Sequence, residues 1–360
     1  MEMAKIGALP DGGCCRLALT DEDKAGRDLF LDWARQAGCK ISVDSMGNIF
    51  ANRAGRDDSL APVVTGSHLD TQPHGGKFDG VYGVLAGLEV IRSLNDHGIV
   101  TEAPIEVTVW TNEEGSRFAP SMVGSGVFGG KFGLEEALAI EDSEGNTIGS
   151  ELKRIGYAGD APCGSRAFAA FFEAHIEQGP ILEAEGKTIG VVTGAQAQRW
   201  LDVTLLGQDS HAGTTPMPMR KDAVFGLARI VVAIEDLASE FAPDAVCTVG
   251  EVAVSPNSRN TVAGCVDFTI DIRHPEEAPL GEMHRRVHAI LEEVSDQYEL
   301  GLNARDVATV PKINFDPGCM EAVREAALEL GLPTRDILSG AGHDAMYIGN
   351  VAPVSMIFVP

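Results

Sequence analysis

The stretch PVVTGSHLDTQPHGGKFDGVYGVLAGLEVIRSL, residues 62–94, decides the fold. Its opening, 62–69, is a short apolar run bounded by turn-forming residues, which reads as a buried strand. A Gly-rich loop follows, and 80–94 then reads as a helix. Working outward, 105–111 (IEVTVWT) and 168–176 read as further strands. Upstream, Thr20 reads as the N-cap of a helix over 21–37 with acids in its first turn. Ala25, Leu29, Phe30, Trp33 and Ala37 make its apolar face, and Gly38 stops it. Strands alternating with helices predict an α/β fold, a sheet with helices on both faces.

Length and composition set the frame. The chain has 360 residues, 44% hydrophobic and 22% charged, enough for two domains and too apolar for a disordered chain. With 28 Lys and Arg against 53 Asp and Glu, the net charge is −25. That balance argues against nucleic acid and against an anionic membrane surface as partners. No apolar run reaches membrane-spanning length, and the first ten residues do not read as an export signal. Seven scattered cysteines with no CxxC read as reduced thiols of a cytoplasmic protein.

The character changes near Gly194. Residues 200–206 (WLDVTLL) alternate like a half-exposed strand, followed by a helix at 222–240, strands at 245–254 and 264–273, and a helix at 280–297. This order predicts a small α+β layer of the split-βαβ type. After Asp316 a helix (320–330) and a closing strand (353–359) return to the earlier style. The expected domains are therefore 1–194 with 316–360, interrupted by an inserted domain at 195–315. The sequence stops at the end of an apolar strand, and residues beyond Pro360 are expected to be missing.

Four segments put metal-ligand residue types at strand ends: GSHLDT with His68 and Asp70, KFDG with Asp79, TNEEG with Glu113 and Glu114, and EAHIEQG with His175. In open α/β sheets the ligand crevice lies at the carboxyl ends of the strands. Imidazole and carboxylate donors without thiolate suit Zn²⁺, Mn²⁺, Co²⁺ or Ni²⁺. Neighbouring glutamates at a strand end point apart, so one can hold a metal while the other faces its water. A metal lowers the pKa of bound water towards ~7, and a nearby carboxylate can then take the proton. Asp70, two residues after His68, can fix that imidazole's tautomer.

Together with GGKFDGVYGVLAGLEV, TNEEGSRFAPSMVGSGVF, EAHIEQGPILE, GAQAQRW, GQDSHAGTTPM, NSRNTVAG, DIRHPE and SGAGHDAMYI, these segments resemble the amidase, hydantoinase/carbamoylase family. That family belongs to the clan of binuclear metallo-aminoacylases and carboxypeptidases. The resemblance runs in order along nearly the whole chain. It implies a zinc-peptidase-like catalytic domain and an inserted ferredoxin-like lid and dimerisation domain. It implies two divalent ions per subunit: His68 and His175 on one, Asp79 bridging both, Glu114 on the other, and Glu113 as general base. The family's last ligand to the second ion is a His shortly after the closing strand. It is absent from this sequence, which implies either a fragment or a weakly held second ion.

The resemblance also places His211, Asn260 and Arg273 on the inserted domain, towards a small carboxylate substrate. Arg273 offers a planar fork for an α-carboxylate, Asn260 a second donor, and His211 an oxyanion partner. In relatives this His reaches across from the second subunit, which implies a homodimer. Gln178, after His175, is expected near substrate or solvent, and Gly342 in a pocket wall that approaches the ligand closely. Ordinary readings stand beside these: an ion pair for Arg273, a turn residue for Asn260, a structural imidazole for His343. His74, His97, His274, His284 and His288 read as surface.

The implied activity is hydrolysis of a linear C–N bond, with an N-carbamoyl-L-amino acid as expected substrate and allantoate or β-ureidopropionate as alternatives. Rival readings are weaker. Residues 124–129 fit GxGxxG but do not follow a strand directly, as a dinucleotide site requires. No GxSxG elbow supports a serine hydrolase. A metal-poor dimer that binds a carboxylate without turnover is the non-enzymatic alternative.

Overall fold

The computed structural model describes residues 1–360. The chain divides into two compact units, Met1–Gly194 with Asn314–Pro360, and Ala195–Ile313.

The first unit opens with α1 (Asp21–Gln36), then β1 (Lys40–Val43), β2 (Ile49–Arg53), β3 (Val63–His68), α2 (Val81–Asp96) and β4 (Ile105–Trp110). Short helices α3 (Val123–Phe128), α4 (Leu134–Leu138) and α5 (Ile148–Ile155) lead to β5 (Ala170–Ile176), α6 (Ile181–Glu185) and β6 (Ile189–Ala195). The second unit contributes β7 (Ala197–Leu206), β8 (Ser210–His211), α7 (Ala223–Glu240), β9 (Val246–Ser255), β10 (Thr261–Val262), β11 (Cys265–His274), α8 (Glu277–Gln297) and β12 (Gly301–Val310). The chain closes with β13 (Ile313–Asn314), α9 (Pro317–Glu329), β14 (Thr334–Ser339), α10 (Asp344–Ile348) and β15 (Val354–Val359).

The large sheet has nine strands in the order β1-β2-β4-β3-β5-β15-β6-β13, with β14 also on β6. Its centre is parallel: β3 pairs β4 and β5, and β15 pairs β5. The flanks are antiparallel, β2 on β4 and β6 on β15. The fold is a mixed α/β sheet with helices, in which β3, β4 and β5 end at the same edge. Local sequence explains the framing. The Thr20 hydroxyl accepts the Asp23 N–H at 3.3 Å, and Asp21, Glu22 and Asp23 fill the first turn. The fully buried Asp23–Arg27 pair (2.8 Å) ties α1 to the end of β4, because Arg27 also donates to Gly47 O and Thr111 Oγ1.

The second unit is a four-stranded antiparallel sheet in the order β12-β7-β11-β9. Alternation decides its inner face: Leu201, Val203 and Leu205 of β7 are buried, while Trp200 and Leu206 are exposed. The buried face packs with Ile230, Ile234 and Leu237 of α7 and Met283, Val287 and Leu291 of α8. Strand β12, absent from the sequence reading, completes a βαββαβ order. Its residues are mostly small or polar, none is fully buried, and a bulge between Asp306 and Ala308 interrupts their alternation, so it carries little apolar period. The α8 start also moves upstream to Glu277. One further correction concerns a histidine: His274 is buried rather than at the surface. His343, expected as a structural imidazole, is buried too. Residues 124–128 fall in the buried helix α3 and Gly129 caps it, so the motif is not a phosphate-type turn.

Candidate metal centre

His68 is the last residue of β3, His175 lies on β5, and Asp79 stands just before α2. Gly80 lets the Asp79 loop come this close. It has φ +65°, and a Cβ there would lie 2.4 Å from the His68 ring. Three ligand atoms converge: His175 Nε2 is 3.2 Å and His68 Nε2 3.8 Å from Asp79 Oδ1. Around a tetrahedral ion with bonds of about 2.0–2.2 Å, ligand atoms sit roughly 3.3–3.6 Å apart. Both imidazoles are set for such an ion. Each Nδ1 donates to a backbone carbonyl at 2.9 Å, His68 to Asp70 O and His175 to Ile176 O. The proton is therefore on Nδ1 and the Nε2 lone pair faces Asp79. The donor set fits a divalent ion of the zinc or manganese type.

Glu113 and Glu114 diverge as expected for neighbours at a strand end. Glu113 is buried, with Oε2 3.5 Å from His68 Nε2. Glu114 is turned to Gln72, whose backbone N–H (3.1 Å) and Nε2 (2.5 Å) both donate to its carboxylate. It is not one of the three ligands that converge. Asp70 fixes the His68 imidazole as expected, through an atom that the sequence leaves open. Its backbone carbonyl, not its carboxylate, fixes His68. The carboxylate instead accepts the N–H groups of Glu113 (3.3 Å) and Glu114 (3.1 Å). The carboxylate lies 3.9 Å from His68 Nδ1, beyond hydrogen-bond reach, because it is engaged by these two N–H groups. Gln178, with φ +52°, donates from Nε2 to Asp79 Oδ2.

Electrostatics separate the carboxyls. Burial pushes Glu113 well above the usual carboxylate range, reinforced by the charges of Asp344, Glu114, Asp70 and Glu173. Burial also acts upward on Asp79, but in the metal-free protein His175 and His68, when they take a second proton on Nε2, outweigh it together with Gln178 and hold Asp79 low. His175 is raised despite its burial by Asp79 and Glu173.

Sequence reasoning missed a layer beneath these groups. Glu173, fully buried, accepts Ser67 Oγ (2.6 Å) and Ala345 N–H (3.1 Å). Asp344 Oδ1 accepts Ser125 Oγ at 2.5 Å, and its Oδ2 is buried without a partner. The His343 ring lies 4.5 Å from that of His175. An acid on the same strand face as His175, in an otherwise buried strand, was the available signal.

The other expected site residues fall elsewhere. A Cβ on Gly342 would meet Met122 Cε at 2.8 Å, so this glycine serves close packing on Met122. In the second unit, β8 pairs β10 with His211 opposite Thr261, and Ala212 N–H donates to Asn260 O at 2.9 Å. His211 and Asn260 are thus neighbours on one ribbon. Arg273, at the end of β11, forks onto Asp271, with Nε–O distances of 3.1 and 3.0 Å and Nη2 at 2.5 Å. His284 Nε2 reaches Asp306 at 2.7 Å, but Arg199 stands 3.1 Å from its Nδ1. A cation where a ligand imidazole needs an acceptor makes this an ion-pair network.

With this geometry in view, the similarities fall into line. Residues 64–360 match Peptidase family M20/M25/M40, and the chain belongs to that family. Enzymes of this family are metal-dependent, in keeping with the clustered donors. The chain is 51% identical over 360 residues to an N-carbamoyl-L-amino-acid amidohydrolase of Rhizobium meliloti, covering 100% of this chain and 86% of the relative. It is 34% identical over 360 residues to an allantoate amidohydrolase of Bacillus subtilis, covering 99% and 87%. The crystal structure of an amidase of the hydantoinase/carbamoylase family from Burkholderia multivorans superposes with a TM-score of 0.94 at 60% identity, covering 100% and 88%. More particularly than its family, then, the protein is an amidohydrolase of C–N bonds other than peptide bonds. No helix is long and apolar enough to cross a membrane.

Proposed function

We propose that the protein hydrolyses N-carbamoyl-L-amino acids to the free amino acid, carbon dioxide and ammonia. The observation that carries this reading is the meeting of His68, Asp79 and His175, with both Nε2 lone pairs presented and Glu113 alongside. The name of the relative at 51% identity supports the substrate class.

His68, Asp79 and His175 would hold one ion, and Asp79 and Glu114 would supply donors to a second; zinc and manganese suit these donors, and cobalt or nickel could replace them. When bound, the ions polarise the scissile carbonyl and lower the pKa of the attacking water. Glu113, the general base, takes the water's proton and returns it to the leaving nitrogen. Its burial and its acidic neighbours make it a strong proton acceptor. Asp70 anchors the Glu113–Glu114 backbone. The second unit acts as lid and dimerisation domain of a cytoplasmic homodimer. From it His211 donates to the oxyanion, Arg273 takes the α-carboxylate in exchange for Asp271, and Asn260 adds a further donor. Gln178 steadies Asp79 beside the substrate, and the Gly342 loop lines the pocket.

A substrate panel tests the reading: N-carbamoyl-L-methionine, allantoate, β-ureidopropionate and N-acetyl-L-methionine, each with added Mn²⁺ or Zn²⁺. N-carbamoyl-L-methionine is expected to have the highest kcat/KM. Faster turnover of allantoate or β-ureidopropionate overturns the substrate assignment. Cleavage of the N-acetyl compound alone removes carbamoyl recognition and leaves the amide chemistry standing.

A further inference from the structure

His211 ends a two-residue strand, and the chain then folds back over its own ring. The backbone N–H groups of Gly213 (3.1 Å) and Thr214 (3.2 Å) both donate to His211 Nδ1. A backbone N–H can only donate, so Nδ1 must carry the lone pair. In a neutral imidazole the ring proton is then on Nε2. This is the opposite tautomer from His68 and His175, whose Nδ1 atoms donate to carbonyls. One chain therefore sets its histidines for two tasks, with two Nε2 atoms presenting lone pairs and one presenting a proton.

The loop that imposes this state is braced from one side chain. Arg220 donates from Nη2 to Ala212 O (2.6 Å) and from Nε to Thr215 O (3.0 Å), clasping both ends of residues 212–215. Thr215 N–H donates to His211 O (3.1 Å), and Ala212 N–H to Asn260 O (2.9 Å), which closes the turn onto β10. A planar fork with two donors a fixed distance apart suits this clasp better than a single ammonium.

We propose that residues 212–215, clasped by Arg220, hold His211 as its Nε2–H tautomer, a ready-made donor for the substrate's carbonyl oxygen, and that Arg220 is a positioning residue for the reaction. Arg220 acts through the loop and need not touch substrate. An oxyanion donor must carry its proton before the negative charge develops, because a ring that has to switch tautomer first loses the benefit of preorganisation. The proposal rests on the reading of His211 as the oxyanion partner, but its first measurement does not depend on that reading.

Long-range ¹H–¹⁵N spectra of protein labelled at its nine histidines read the tautomer directly, with His211→Ala giving the assignment. The Nε2–H form is expected for His211 in the resting protein at mildly alkaline pH. In Arg220→Gln the signal should move towards a mixture of the two forms. With kcat lower by about tenfold and KM within about twofold, that variant would match a donor partly lost from the transition state alone. Arg220→Lys, which can keep one of the two bonds, should recover part of kcat, and an unchanged circular dichroism spectrum would exclude misfolding. An Nδ1–H or unbiased His211 in the wild type, or an Arg220→Gln protein with unaltered tautomer, overturns the proposal. A tautomer that shifts while kcat does not would leave the clasp standing and remove His211 from the oxyanion.

Discussion

The carboxyl end of the first unit's parallel strands and the ribbon and strand end of the second unit carry different kinds of residue. At the metal centre His68, Asp79, Glu113 and His175 are buried, and Asp70, Gln72, Glu173 and Gln178 hold the surrounding groups by hydrogen bonds. In the second unit His211 and Asn260 are exposed, and Arg273 is partly so. Groups that must hold an ion and move a proton gain from a dry, fixed setting, where charges are felt strongly. Groups that must meet an arriving substrate need access, and are kept ready by local backbone geometry or by an exchangeable partner such as Asp271.

The contrast can be broken by substitution. Glu113→Gln should give the largest effect, a fall in kcat of about 10²–10⁴. Metal content by elemental analysis should stay unchanged, and loss of metal with activity would make Glu113 a ligand instead of a base. Asp70→Asn should come next. The two backbone N–H groups use different Asp70 oxygens, and an amide replaces one of these with an NH2 that can only donate, so the Glu113–Glu114 turn loosens and metal affinity should drop by about 10–100-fold. Titration with a competing chelator measures this, and unchanged affinity would detach Asp70 from the centre. Arg273→Met should be smallest at the chemical step, with KM higher by roughly tenfold or more and kcat nearly unchanged. A fall in kcat with constant KM would move Arg273 from recognition to catalysis and erase the distinction between the two regions.

Much of this was legible beforehand. The strand and helix of residues 62–94 lie close to their expected bounds as β3 and α2, because a mostly buried strand and an amphipathic helix leave their mark in the sequence. Strand β12 is not legible in this way, since it buries no residue fully and a bulge interrupts its alternation. His68 and His175 were legible through residue type and strand-end position; Asp79 was legible by type, but it stands just before α2 and not at a strand end as expected. The layer of Ser67, Ser125, Glu173 and Asp344 was not, because a buried acid is recognisable only once burial is known. Asp70 does fix the His68 imidazole as expected, but which of its atoms does so, the backbone carbonyl, depends on where the carboxylate is engaged.

By itself the sequence determined which atoms are available: nitrogen and oxygen donors at the ends of strands, an adjacent pair of glutamates, glycine where the chain approaches an imidazole, and two patterns of alternation that separate the units. Only the tertiary structure decided what those atoms do. It turned Glu114 towards Gln72 and Glu113 towards His68, and it set two histidines with their protons inward and a third with its proton outward. The reason is that periodicity and residue type are properties of short stretches, whereas a tautomer or a raised carboxyl depends on hydrogen bonds and burial supplied by segments far away in the chain.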